Sequence, residues 1–365
     1  MKKSYEIDMC NGPLLGKILV FSIPLMLSGI LQLLFNAADI IVVGRFAGST
    51  ALAAVGSTAS LINLMINVFV GLSVGVNVLA ARYYGAQKEK DIQDTVHTAI
   101  MMAILSGLFL VVLGESASKP MLTLMGTPDD VLDQAALYLR IYFFGMPVLM
   151  IYNFGAALLR AVGDTRRPLY FLFAAGAVNV VLNLFFVIQL GMGVDGVAWA
   201  TVISECVSAG LIIRSLMKEN GAMKLHLTKL RIVSGKLTQI VRVGLPAGMQ
   251  GAIFSISNVL IQSSVNSFGS IAMAGNTASS NIEGFVYTAM NAVYQTSLSF
   301  TSQNLGGEKF SRIDKIKNIC LGVVTVVGLV LGWGAVLGGH QRHAGRREQR
   351  AEAVVQLFGE VEPFR

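Results

Sequence analysis

Three carboxylates stand inside stretches that otherwise carry no charge: Asp39, Glu205 and Glu283. An ionised carboxylate near the middle of a membrane span costs about 2.5 to 3.5 kcal/mol on insertion scales, so each needs a proton, a cation or a partner. Gln32, Asn36 and Asp39 follow one another at spacings of four and three, which puts them on one helix face. That set suits exchange of a proton or Na+ at Asp39, the position where a metal ion would sit; the competing reading is that Asp39 snorkels to the outer surface, because its span ends near Gly44. Glu205 lies well inside its span and either lines a cavity or is a structural residue shielded from lipid. Glu283 is a candidate contact for a cationic substrate or an ion. Asn63 with Asn67, and Asn179 with Asn183, repeat at a spacing of four, where buried amides also serve to bind helices together.

The elements that must position these groups are membrane helices. Of 365 residues, 54% are hydrophobic and 13% charged, against about 25% charged in soluble domains. A soluble enzyme is excluded on that balance, and no Ser/His/Asp set, nucleotide loop or metal-ligand cluster points to catalysis. The net charge of +7 comes from Lys and Arg spread at loop ends, the pattern of a chain whose partner is membrane lipid and not nucleic acid. Cys10, Cys206 and Cys320 are far apart and read as small apolar fillers. The first apolar run, Ile18 to Ala38, is longer than the roughly 7 to 15 residues of a signal peptide and should remain as a span.

Spans of about 17 to 25 apolar residues centre on nine segments: 16–40, 51–81, 95–114, 136–159, 168–189, 195–214, 239–263, 271–303 and 317–338. Runs such as Val68 to Ala81 are apolar on every side, unlike the alternating strands of a membrane barrel. With the N-terminus inside, twenty basic residues between Lys2 and Lys317 fall on the cytoplasmic side, Arg160, Arg166 and Arg167 among them, against Arg45 and Lys119 outside. Arg140 reads as a snorkelling anchor at the outer start of the fourth span.

The chain repeats itself. Pro24 and Asn36 are matched by Pro246 and Asn258, both displaced by 222 residues, and later segments match at nearly the same displacement. Six spans separate the copies, so the halves share one orientation, as in parallel-repeat transporters. The expected fold is an all-α, polytopic membrane protein of two six-helix lobes in parallel repeat, the second incomplete. Residues 1–217 form the N-terminal lobe, 218–242 the cytoplasmic linker, 243–339 the first three helices of the C-terminal lobe, and 340–365 an aberrant polar tail rich in Arg. Pro24 and Pro246 each free a backbone carbonyl at equivalent places and are candidate hinges.

The segments "FNAADIIVVGRFAGSTALAAVG", "LLRAVGDTRRP" at 158–168, "GMGVDGVAWATVIS" at 191–204 and "VGLPAGMQ" at 243–250 resemble the multidrug and toxic compound extrusion (MATE) family over about residues 10 to 335. The resemblance implies twelve helices in two lobes around a central cavity, and export of cationic amphipathic compounds by antiport with H+ or Na+. It implies no other cofactor, a monomer, and a multi-pass location in the bacterial cytoplasmic membrane. It also implies that Asn179 and Asn183 on the fifth span face Asp39 on the first, with Thr201 completing an ion-coupling cluster. One branch of the family carries a second Asp on the fifth helix; the matching position here is Asn183. Acids expected on the seventh helix are not evident between Gly251 and Ser257. The alternatives are a lipid-linked sugar flippase of the same superfamily, disfavoured by the scarcity of basic residues in the spans, and a non-transporting truncated remnant.

Overall fold

The computed structural model describes residues 5–266 and 270–359. Its helices follow in order as α1 (Leu14–Val42), α2 (Ser49–Gly85), α3 (Glu89–Leu124), α4 (Asp129–Phe144), α5 (Met146–Ala161), α6 (Arg166–Leu184), α7 (Val194–Met217), α8 (Ser234–Asn266), α9 (Ser270–Gly306) and α10 (Phe310–Gly359). Wider π turns, Val43–Ala47 and Phe185–Gln189, extend α1 and α6. Among the described residues there is no strand, and seven helices are long and apolar enough to cross a membrane, or up to eight if one bent pair counts as a single span.

Each of the nine expected segments coincides with helix, but the fourth is broken. The pair α4 and α5 is bent by 48° at Gly145. Pro147 stands in the first turn of α5, where its ring prevents a straight run through the preceding residues. From residue 340 onward α10 continues as one helix through Gly359. Arg-, Glu- and Ala-rich sequence has good intrinsic helix propensity, so loss of apolar character need not end a helix.

Apolar side chains on α3 such as Leu108, Phe109 and Val112 are more than half exposed, the surface that acyl chains would cover in a helical membrane protein. The buried mass lies around α2, which packs against α3, α4 and α5 on one side and against α8 and α9 on the other. The crossing with α8 is made by glycines. A Cβ at Gly71 would lie 2.2 Å from the Gly248 backbone, and one at Gly75 would lie 2.3 Å from the Ile240 carbonyl. Only small residues allow two backbones to approach this closely. A second apolar cluster joins Ile18 and Phe21 of α1 to Val293 and Phe300 of α9 and Ile316 of α10, with Phe21 and Phe300 edge to face at 5.6 Å.

The basic segment after α7 is docked rather than free. Met223 and Leu225 are buried, the Val233 amide donates to Thr98 Oγ1 at 3.2 Å, and Arg231 and Lys236 pair with Asp94 and Asp91, each at 2.6 Å. The segment "RAVGDTRRP" has a local structural logic. Gly163 takes φ +94°, and a Cβ there would meet the Ile7 carbonyl at 2.5 Å. Asp164, fully buried, accepts the amides of Arg166 and Arg167 at 3.0 and 3.1 Å, satisfying donors left open at the start of α6. It also pairs with the Arg167 side chain, which reaches on to Glu219.

Candidate functional site: a carboxylate cluster in an intramembrane cavity

Four side chains from three helices meet beside the last turns of α1. Asn183 Nδ2 donates to Asp39 Oδ1 at 2.5 Å and to Asn179 Oδ1 at 3.1 Å, and Asn179 Nδ2 donates to Thr201 Oγ1 at 3.4 Å. The spacing of four on α6 stacks the two amides on one face, as helical geometry requires. Thr201 Oγ1 passes its own proton to the Val197 carbonyl one turn back at 3.1 Å, which leaves its lone pairs facing Asn179. The Asp39 carboxylate therefore engages α6 instead of turning to the end of its helix. Among the described residues no Lys, Arg or His pairs with it.

One acceptor in the cluster is unsatisfied. Asn183 Oδ1 is buried and has no hydrogen-bond partner among the described residues. Its amide nitrogen already serves two acceptors, so the oxygen is left for a species not drawn from these side chains. An orphaned buried acceptor costs about 1 to 3 kcal/mol, a cost that a bound cation or a protonated neighbour removes.

The cluster opens into a cavity of about 370 Å³. Gln32, Asn36 and Asp39 line it from α1, Asn63 and Asn67 from α2, and Glu205 from α7. The face predicted on α1 thus lies along this cavity, and Glu205 is among the residues that line it. Glu283 is placed elsewhere: it is exposed on α9, one turn before Tyr287, and lines neither this cavity nor the one beside it. Pro24 and Pro246 lie inside the continuous helices α1 and α8. Asn67 Nδ2 donates to Ser255 Oγ on α8 at 2.9 Å, so this amide does bind helices together. Tyr138 and Tyr142, a turn apart on α4, also line the cavity. Their spacing of four was visible in the sequence, but an aromatic pair on an apolar helix is indistinguishable there from ordinary packing.

The sequence matches the MatE family over residues 24–185 and 246–340. This chain belongs to the MatE family. It is 30% identical over 321 residues to the probable multidrug resistance protein YoeA of Bacillus subtilis (strain 168), a match that covers 86% of this chain and 69% of that protein. It is 25% identical over 333 residues to a FAD transporter of Shewanella oneidensis, covering 88% of this chain and 72% of that one. Among solved structures it resembles a MATE family transporter of the MOP superfamily in an outward-facing conformation, with a TM-score of 0.86 and 24% identity over 93% of this chain and 76% of that chain. The MatE fold accounts for the long helices, the polar cavity buried between them, and the exposed apolar surface around them.

Proposed function

We propose that this MatE protein exports cationic amphipathic compounds in exchange for H+ or Na+, and that Asp39 is the coupling group, held by Asn183, Asn179 and Thr201. The observation that carries the reading is the unpartnered Asn183 oxygen in the same cluster as an uncompensated carboxylate. A proton on Asp39, or a Na+ beside it, supplies the missing positive charge or donor. YoeA is named for multidrug resistance and the Shewanella relative for FAD. The acidic pole formed by Asp39 and Glu205 in one cavity favours the cationic cargo. On this reading residues 1–217 act as one lobe and 243–339 belong to the other, joined by 218–242. The N-terminus is in the cytoplasm, the protein works as a monomer in the bacterial inner membrane, and it performs no catalysis.

The test uses rhodamine 123, an apolar monocation. Purified chain is expected to bind the dye and release it on addition of Na+ or on acidification, and a drug-sensitive host expressing the protein should expel it. Asp39→Asn should reduce ion-dependent release and efflux at least tenfold at equal membrane abundance. Undiminished ion dependence in that variant would overturn the assignment of Asp39.

A further inference from the structure

Arg160 is the one charged residue among the lining residues of a second cavity, of about 420 Å³, which adjoins the first and shares Gln32, Asn36, Asn67 and Asn153 with it. The chain's basic residues at this end otherwise suggest a surface role, and Arg160 reads in the sequence as one more cytoplasmic cation. The fold places it differently. It stands in the last turn of α5, with its Nε fully buried and without a hydrogen-bond partner among the described residues. No carboxylate pairs with its guanidinium among those residues either. Arg167, seven positions on, is the contrast, since it is held by both Asp164 and Glu219.

The surroundings suit an anionic group on an apolar body. Ser73, Asn153 and Gln295 supply polar atoms, while Leu25, Val70 and Pro168 supply apolar wall. The two poles are distinct places along the bundle: on α6, Asn183 marks the Asp39 end and Pro168 the Arg160 end, about 22 Å apart at the helical rise. A guanidinium presents a planar fork of donors that fits a carboxylate or phosphate in two parallel hydrogen bonds. A lone cation inside a membrane bundle is costly to maintain without a partner. We infer that Arg160 is an anion-recognition point in the cavity between α1, α2, α5 and α9, and that its ligand is an amphipathic molecule bearing a carboxylate or phosphate. The site is independent of Asp39 and of the coupling ion.

Rhodamine 110 and rhodamine 123 share one skeleton and differ in a free carboxylate against its methyl ester, so fluorescence polarisation of the two dyes on the purified chain isolates the anionic group. Arg160→Gln is expected to weaken rhodamine 110 binding about tenfold, the factor that corresponds to about 1.4 kcal/mol, and to leave rhodamine 123 within twofold. Arg160→Lys, which keeps a point charge but loses the planar fork, should weaken rhodamine 110 less than Arg160→Gln does. Asp39→Asn should leave the difference between the dyes intact, which separates this site from the efflux reading. Equal weakening of both dyes by Arg160→Gln, or no effect on either, overturns the inference. Displacement of rhodamine 110 by inorganic phosphate at comparable concentration would mean a free-anion site and overturn the amphipathic ligand.

Discussion

Ser299 Oγ on α9 donates to Asn77 Oδ1 on α2 at 3.0 Å, and these two buried residues are separated by 222 positions in the chain. The bond ties α2 to α9, the helices that carry matching segments of the sequence repeat. The neighbouring backbone contacts are reciprocal. A Cβ at Gly85 would meet the Gln303 carbonyl at 2.0 Å, and one at Gly306 would meet that of Arg82 at 1.8 Å. The backbones of α2 and α9 are pressed together where Arg82 and Gly306 lie. Ser299→Ala should leave Asn77 Oδ1 buried without a donor and cost about 1 to 3 kcal/mol. The check is the unfolding midpoint of the purified chain in detergent. Asn77→Ala with Ser299→Ala should cost less than the sum of the single changes, because the orphaned acceptor is gone.

The α2 and α8 crossing gives a second expectation. A Cβ at Gly248 would sit 2.4 Å from the Val68 carbonyl, whereas one at Gly251 would meet only the Asn67 side chain at 3.5 Å, an ordinary contact. Gly248→Leu must push two backbones apart and should destabilise by about 1 to 3 kcal/mol. Gly251→Ala should be tolerated. Equal thermal stability for the two variants would show that the crossing is not as tight as described.

A third expectation concerns pH. His226, in the segment between α7 and α8, donates its amide to His97 Nε2 at 3.2 Å, and the two rings stack at 6.3 Å. Partial loss of water, then the charges of Lys229, Lys224 and His97, hold His226 below the ordinary histidine value of 6.5. The unfolded chain consequently binds more protons than the folded one as pH falls past that value, so stability declines on acidification. Wild type should lose more thermal stability between about pH 7.5 and pH 5.5 than His226→Gln, since the unperturbed group titrates near 6.5. An equal loss in both would place the effect at another group.

The apolar runs and their spacing made the nine helical segments legible, because a span must satisfy its backbone internally and so announces itself by length and composition. The break at Gly145 was less legible: Pro147 was in view, but a proline in a membrane helix can be absorbed by neighbours, and only packing decides whether the helix bends. Within the site, the one-sided spacing of Gln32, Asn36 and Asp39 and of Asn179 and Asn183 was visible, since side chains four apart share a face whatever surrounds them. Which faces meet was a different matter.

Glu205 and Glu283 looked alike in sequence, each an isolated acid in an apolar run, yet one lines the cavity and the other lies exposed on α9. Arg160 and Arg167 belong to one basic motif, and one is left open to a cavity while the other is held by two carboxylates. The sequence by itself determined that the chain is a helical membrane protein with a repeat and a polar face on its first helix, because these follow from local composition and period. The tertiary structure alone decided the partners: the amides that hold Asp39, the cation left without a carboxylate, and the pairing of Asn77 with Ser299. Those contacts join residues from 144 to 222 positions apart, and they depend on how rigid helices cross, which no local pattern encodes.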